Sequence, residues 1–386
     1  MVFLLISIFL LLPYFLLIIY YRQSWLEIEV YCADVNHQVL NTFISVIIPA
    51  RNEEKNIGTC IESVIKQTYP ANLFEVIIIN DYSDDETANI ATSYNRRNIN
   101  VINLADFTGN NILNSYKKKA IEIGVSKAKG SLIVTTDADC IVPNKWLETI
   151  ASYSKKTGSV FIAAPVSFFD LKNEDSILKK FLKVFQSLDF MMLQGITGAS
   201  VHKKIHNMCN GANLAYEKEA FYKAGGFEGI DKIASGDDML LMHKIQNLYP
   251  DRIGYLKSPN AIVKTQAAAT VREFMNQRIR WASKADKYSD IKITTVLILV
   301  YFLNLWILAL VIVSFFQVDI FYLLIFSFFT KTFVELFFLL PVARFFKNEK
   351  LLWWFIVAEP FHIIYTLVAG WLGKFGSYTW KGRKVK

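Results

Sequence analysis

Two stretches without a single charged side chain, Met1–Tyr21 and Ile293–Val318, bracket a segment of ordinary soluble composition. Each meets the roughly 20 residues that a helix needs to cross about 30 Å of hydrocarbon, so the chain has to fold in two solvents. The mean hydropathy of +0.28 agrees with that division. The first stretch has neither a basic leading region nor a small-x-small cleavage site, which predicts an uncleaved anchor over 1–22 rather than a signal peptide. Ile320–Ala343 and Leu351–Gly373 are also apolar but carry Lys331, Glu335, Glu359 and His362. Two to three spans are expected within 293–373, the last of them re-entrant or interfacial if Glu359-Pro360 interrupts it. Lys331 and Glu335 stand four apart, which fits a functional or a structural ion pair within the bilayer.

The net charge of +8 is uneven. Arg344, Lys347 and Lys350 form one basic cluster, and the tail 374–386 holds five basic residues and no acid. Basic loops beside spans stay on the cytoplasmic side, near anionic lipid. Arg22, just after the first span, therefore predicts a cytoplasmic central segment on a multi-pass protein of the cell membrane. Three full spans after Lys292 would place the basic tail outside, against the same rule. The pattern is one of membrane contact; no groove-like repeat of basic and aromatic residues suggests nucleic acid. Cys32, Cys60, Cys140 and Cys209 are widely spaced without a CxxC pair, which excludes a disulfide framework or zinc site.

In the central segment, apolar runs alternate with helical spacing. Ile44–Ile48 closes at Pro49, and Ile57, Ile61, Val64 and Ile65 follow at helical intervals. Val76–Ile79 leads to Asn80-Asp81, with Ser83 or Asp84 placed to cap the next helix. Val101-Ile102 is a weaker strand, and a Lys-rich helix over Lys117–Lys127 precedes Leu132–Val134. Continuous apolar strands between amphipathic helices predict a mainly parallel sheet covered on both faces. Ligands bind beyond the carboxyl ends of such strands, where Asp81 and Asp137 fall. Further on, Val160–Pro165 and Ala212–Tyr216 read as strands. Ser176–Leu193 reads as an amphipathic helix whose Phe/Met stripe is core or membrane-contact surface.

Three acidic motifs and one pentad carry the chemistry. Asp137 and Asp139 stand one residue apart after a buried-type strand, where two carboxylates repel unless hydrogen bonds or a cation compensate. A hard ion, Mg²⁺ or Mn²⁺, shared with diphosphate oxygens would do so; a solvated turn is the plainer reading. Asp81 can accept from the N–H of a nucleotide base, while Ser83 to Asp85 can cap a helix, and both readings can hold. Asp237-Asp238 precedes the helical pattern Met239, Leu240, Met242, Ile245, so one carboxylate fits a general base or a helix cap. Gln277, Arg280 and Trp281 stand at i, i+3 and i+4, on one helical face. There Arg280 suits phosphate and Trp281 a sugar or lipid headgroup, and anchoring at the membrane interface is the competing role.

In this order the motifs resemble the family 2 glycosyltransferases, membrane-anchored inverting enzymes with the GT-A fold. The resemblance covers Ile44 to Trp281 plus the flanks. The layout is similar to polysaccharide synthases and to ceramide glucosyltransferases, which share a Q-x-x-R-W signature. It implies a GT-A domain over 41–285, a nucleotide-diphosphate sugar as donor, and Mg²⁺ or Mn²⁺ as cofactor. By the resemblance, Pro49, Ala50, Arg51 and Glu53 line the nucleotide and Asp81 contacts the base. Asp137 and Asp139 hold diphosphate and metal, with Asp139 the likelier direct ligand. Asp238, with Asp237 beside it, is the base. Gln277, Arg280 and Trp281 hold the diphosphate and shape the acceptor opening. Lys117 matches a lysine of a K-x-x-A-L-N-x-G region in which Glu122 replaces Asn. Tyr82 stands where the family often has Gly, leaving less room beside the nucleotide, and the long insertions of cellulose synthases are missing from the central segment.

The expected activity is transfer to a membrane lipid or lipid-linked glycan at the cytoplasmic face. A processive synthase that exports its polymer is the alternative, distinguished by product length. A transporter or scaffold is disfavoured because ionisable residues concentrate in the central segment rather than in the spans. A dinucleotide enzyme is disfavoured because no G-x-G-x-x-G follows the first strand.

Overall fold

The computed structural model describes residues 1–33, 41–94, 96–109, 113–170, 176–233, 235–284 and 290–376, and the backbone of 378–380 and 383–385. The chain forms two compact units. A sheet unit comprises Glu29–Phe169 and Asn207–Gln266; a helical unit comprises Met1–Ile28, Asp170–His206 and Ala267–Lys386.

The sheet unit contains β1 (Ile44–Ala50), β2 (Phe74–Asn80), β3 (Ile99–Asn103), β4 (Leu132–Thr135), β5 (Phe161–Ala163), β6 (Val166–Phe168), β7 (Leu214–Glu217), β8 (Ile253–Tyr255) and β9 (Val263–Thr265). Seven strands form one sheet in the order β3-β2-β1-β4-β7-β5-β8, and β6 pairs with β9 in a small parallel sheet. In the large sheet β7 alone runs antiparallel to its neighbours, β4 and β5. The parallel part follows from the apolar runs. Val46, Ile47, Ile48, Val76–Ile79, Ile133 and Val134 are fully buried, as strands covered on both faces must be. Helix Ile57–Ile65 buries Ile57, Cys60, Ile61 and Val64, the stripe expected from its spacing.

The course of β1 opens the sheet at one end. Its pairing with β2 continues to Ala50, whereas its pairing with β4 ends at Ile47 and Thr135. Ile47 O accepts from Thr136 N at 3.3 Å, and Ala50 O from Asp81 N at 2.8 Å. Peptide groups alternate sides along a strand, so the N–H that Pro49 lacks would face the β4 side, where the ladder has already stopped. Proline is therefore tolerated in a central strand. The opening lies between β1 and β4, where the strand order reverses direction, the usual ligand crevice of an open α/β sheet.

Among the described residues of the helical unit, four helices are long and apolar enough to cross a membrane: Val2–Glu27, Ile291–Ser314, Val318–Phe346 and the helical run Glu349–Phe375. At 1.5 Å per residue their 24 to 29 residues reach about 36–44 Å. Pro360 does not interrupt the last of them. The α-helix Phe355–Phe375 runs through it after a 3₁₀ segment, Glu349–Trp354. Pro360 lies early in that helix, so it removes one backbone bond near an end rather than in the middle. Helix Ile177–His202 extends well past the expected Leu193.

Gly130 lets the chain enter β4 against β1. An added Cβ would sit 2.6 Å from Ser45 N and 2.8 Å from Phe43 O, both backbone atoms that cannot turn aside. The contact is fixed by Gly130 N donating to Ser45 Oγ at 2.8 Å, while Ser45 Oγ donates to Glu75 Oε1 at 2.6 Å. Gly130→Ala should therefore cost about 1–3 kcal/mol, the usual range for overpacking. A denaturant midpoint that does not move would refute this packing.

Candidate active site

Two loops at the carboxyl ends of β1 and β2 are tied to each other. Arg51 Nη1 donates to the carbonyls of Asp81 at 2.9 Å and Tyr82 at 3.0 Å, so it fixes the second loop. Asn52 N donates to Ser83 Oγ at 3.1 Å, and Asp84 N to Asn52 Oδ1 at 3.1 Å. Glu53 N donates to Thr87 Oγ1 at 2.7 Å, and Glu53 Oε2 accepts from Asn56 Nδ2 at 2.7 Å. The Ser83 hydroxyl is thus engaged by the first loop, and neither Ser83 nor Asp84 is the residue whose side chain meets the start of the next helix. Asp85 is that residue: it accepts from Thr87 N at 3.0 Å and Thr87 Oγ1 at 2.5 Å. Burial alone would raise the Asp85 carboxyl, but those donors and the N–H of Glu54 hold it below the ordinary range. Asp81 is buried at the end of β2.

Tyr82 explains why glycine suits its position. Its φ is +50°, a left-handed conformation costly for a bulky side chain. The ring compensates by hydrogen bonding through its hydroxyl to Thr108 Oγ1 and Gly109 O, both at 2.7 Å. It also packs edge-on against Tyr116, 5.8 Å between centroids.

The acidic motifs meet at Lys117. Its ammonium lies 2.7 Å from Asp137 Oδ1 and 3.1 Å from Asp237 Oδ2. Burial pulls the lysine pKa down, but Asp137, Asp237 and Asp238 together outweigh it and keep Lys117 charged above the ordinary range. Asp238 caps helix Met239–Leu248, with Oδ1 accepting from Met239 N at 2.7 Å. Its Oδ2 accepts from Gly211 N at 3.1 Å. Gly211 faces the whole cluster, since a Cβ there would lie 3.3 Å from Asp237 Oδ2 and 3.4 Å from Lys117 Nζ. Asp139 Oδ2 accepts from the Thr265 hydroxyl at 3.1 Å, at the end of β9.

Sequence reasoning missed Gly211, Thr265 and Lys118. Asn210-Gly211 was readable as a turn, but nothing local tied it to the acids. Buried Lys118 donates to the carbonyls of Ile230 at 2.6 Å and Ile233 at 2.7 Å. Lys244 likewise takes Gly226 O at 2.8 Å and Glu228 O at 2.7 Å. Adjacent lysines thus have separate tasks: Lys117 binds the acids, and Lys118 fixes the backbone that leads to Asp237.

Four carboxylates and one ammonium leave this group of residues acidic. Carboxylate oxygens of that kind suit a hard cation, and both Asp137 and Asp139 are partly exposed. Among the described residues no three His, Cys, Asp or Glu side chains converge as a ready-made metal site. A cation there would need ligand oxygens as well.

Gln277, Arg280 and Trp281 belong to the helical unit, on helix Val271–Ala282. Thr270 caps it, accepting from Glu273 N at 3.2 Å, and Glu273 Oε2 accepts from Ala269 N at 2.9 Å. The buried, ion-paired arginine of the pentad is Arg278, bound to Asp189. Arg280 is half-buried and has no side-chain partner among the described residues.

Residues 45–225 match the family model described as glycosyl transferase family 2. That segment, a little under half of the chain, is similar to the family 2 glycosyltransferases. The matched segment holds Pro49 to Glu53, Asp81, Lys117, Asp137, Asp139 and Gly211, and ends before Asp237. Glycosyltransferase AglE of Haloferax volcanii is 32% identical over 128 residues, 33% of this chain and 40% of the relative. The 4,4'-diaponeurosporenoate glycosyltransferase of Staphylococcus aureus is 29% identical over 203 residues, 51% of this chain and 48% of the relative. The probable glycosyltransferase YdaM of Bacillus subtilis is 29% identical over 255 residues, 64% and 56% respectively. The chain thus spans about half the length of the relatives it matches. A solved mannosyltransferase, PcManGT from Pyrobaculum calidifontis in complex with GDP-Man and Mn²⁺, shares the fold. Its TM-score is 0.57 at 16% identity, over 94% of this chain and 97% of that one. The architecture is therefore the expected GT-A type, with one long apolar helix before the domain and three after it.

Close to Asp137 and Asp139 lie two buried thiols. Burial, then Asp139 and Asp137, push the Cys60 and Cys140 thiols well above the ordinary range. Because the thiolate is the reactive form, both should resist N-ethylmaleimide at neutral pH while exposed Cys32 reacts. Peptide mass spectrometry before and after denaturation checks this. Rapid native labelling of Cys60 would contradict the packing under Asp137.

Proposed function

We propose that this chain is an inverting, metal-dependent glycosyltransferase that moves a sugar from a nucleoside diphosphate to a lipid or lipid-linked glycan at the cytoplasmic face. The observation that carries this reading is the junction of Lys117, Asp137, Asp237 and Asp238 in a family 2-like domain, with Asp139 two residues from Asp137. The acceptor class is supported by the four long apolar helices and by the diaponeurosporenoate named for the S. aureus relative. The donor class and cation are supported by the GDP-Man and Mn²⁺ named for the mannosyltransferase.

In the proposed step the acceptor hydroxyl gives its proton to Asp238. Its oxygen bonds to the anomeric carbon as the bond from that carbon to the diphosphate breaks, and the diphosphate leaves with the electron pair. The transition state has oxocarbenium character, as in other glycosyl chemistry. Asp238 is preferred to Asp237 because Asp237 is committed to Lys117, whereas Asp238 is held by backbone N–H groups that orient it. Mg²⁺ or Mn²⁺ at Asp139, with Asp137 beside it, would neutralise the diphosphate when bound. Pro49, Ala50, Arg51, Glu53 and Asp81 are assigned to the nucleotide, Arg51 through the loop it holds. Gln277, Arg280 and Trp281 are assigned to the diphosphate and acceptor by their order in the sequence, and the partly exposed Arg280 guanidinium, without a side-chain partner among the described residues, supports that.

Asp238→Asn should lower transfer by about 10²–10⁴-fold, the usual worth of a positioned base, with nucleotide binding largely kept. Arg280→Ala should cost about 10²–10³-fold through the leaving group. Purified protein, metal, a lipid extract and a panel of radiolabelled nucleotide sugars provide the assay. Near-normal turnover in Asp238→Asn with loss in Asp237→Asn would move the base to Asp237. No transfer from any donor would remove the reading.

A further inference from the structure

Helix Val271–Ala282 carries the pentad, and Arg278 organises it. Arg278 Nη1 donates to Gln277 Oε1 at 2.8 Å. Its guanidinium lies 4.3 Å from the centre of the Trp281 ring and 4.6 Å from that of Phe274. One buried cation therefore fixes two of the three side chains assigned to donor and acceptor. What fixes the cation is Asp189, on helix Ile177–His202, whose Oδ2 accepts from Arg278 Nη2 at 2.5 Å. The other Asp189 oxygen accepts from the Tyr365 hydroxyl, with His362 Nε2 at 3.9 Å.

Both partners of the pair are about 4% exposed. Burying such a pair costs several kcal/mol of desolvation and often adds no net stability over apolar packing, so fold stability alone is a weak reason for its presence. Its geometry supplies a better one. A guanidinium that bonds Asp189 through one nitrogen and Gln277 through another, and stacks on two rings, has few alternative orientations, and a carboxylate held by Tyr365 has fewer still. Asp189 also stands at one end of a longer set of buried polar groups. His362 Nδ1 lies 3.9 Å from Glu359 Oε1, Lys331 bonds both Glu359 and Glu335, and the Tyr14 hydroxyl donates to Glu335. The pentad is thereby referenced to the apolar helices rather than only to its own short helix.

We propose that Asp189 is a positioning residue for transfer: through Arg278 it sets the orientation of Gln277 and Trp281. This rests on the reading that the pentad acts on donor and acceptor. Misplacement by about 1 Å away from the reacting atoms can cost roughly 100-fold, so Asp189→Asn should lower kcat by about 10- to 100-fold. Arg278→Lys keeps the charge opposite Asp189 but loses the bond to Gln277 and the flat stack. It should lose activity similarly while keeping the melting temperature, which holds the test open if Asp189→Asn folds poorly. Asp189→Glu should recover part of kcat. Glu335→Gln, at the far end of the set and without contact to the pentad, should lower thermal stability without changing kcat. The proposal is overturned if Arg280→Ala is impaired while Asp189→Asn and Arg278→Lys turn over like wild type. It is also overturned if Glu335→Gln and Asp189→Asn lose kcat equally, in proportion to stability. If Arg280→Ala is itself unimpaired, the pentad reading fails and Asp189 has nothing to position.

Discussion

The contact on which the site depends is the Lys117 ammonium between Asp137 and Asp237. Two unit charges about 4 Å apart at a protein surface interact by roughly 4 kcal/mol, so carboxylates gathered at one sheet end would push each other away without it. Lys117 resolves this only in part. It answers one negative charge and leaves the named residues acidic in sum. A second lysine at this position would have closed the site; no lysine would have left it splayed.

Placement of those carboxylates follows from the strand order. β1 is flanked by β2 and β4, and only the β2 ladder continues to its end; the β4 ladder stops at Ile47, so the N–H that Pro49 lacks is not needed there. The sheet therefore parts between β1 and β4, where the strand order switches sides, and the residues that follow β1, β2 and β4 are left at the rim of that gap. Arg51 then secures one side by holding the carbonyls of Asp81 and Tyr82. A residue expected to touch nucleotide directly does structural work on the loop that would touch it. Tyr82 makes the same point differently: its left-handed backbone needs either glycine or a side chain anchored well enough to offset the strain.

What was legible in the sequence was whatever repeats locally. Continuous apolar runs gave β1, β2 and β4, and uncharged runs gave the membrane helices, because burial on all sides leaves a dense signal. The antiparallel β7 was invisible as such: Leu214–Glu217 has a strand's composition, and four residues do not encode direction. β8 and β9, at three residues each, fall below any periodicity. Whether Pro360 breaks its helix stayed open in the sequence, which does not say that the proline stands near the start of that helix. In the site, acids were readable from their spacing, but their partners were not. Lys118, Gly211 and Thr265 act through backbone carbonyls, one N–H and one hydroxyl, and such contacts leave no pattern in the chain. Arg280 drew attention as part of a motif, although Arg278, its neighbour but one, is the arginine that the fold buries.

The two charge clusters differ in a way that separates their roles. Around Lys117 the side chains keep 22%, 34% and 13% exposure for Lys117, Asp137 and Asp237, so solvent or a ligand can reach them. In the helical unit Arg278, Asp189, Lys331, Glu335 and Glu359 retain only 1–4%. A cluster with residual access can exchange a hydrogen bond to water for one to an anion or cation, at small cost in either direction. A closed cluster cannot exchange anything without exposing an unpaired charge to an apolar interior. The first cluster is therefore suited to exchanging ligands and the second to fixing orientation. Helices that are apolar over so much of their length offer few polar contacts to hold a side chain in place, which is what a closed polar cluster among them supplies.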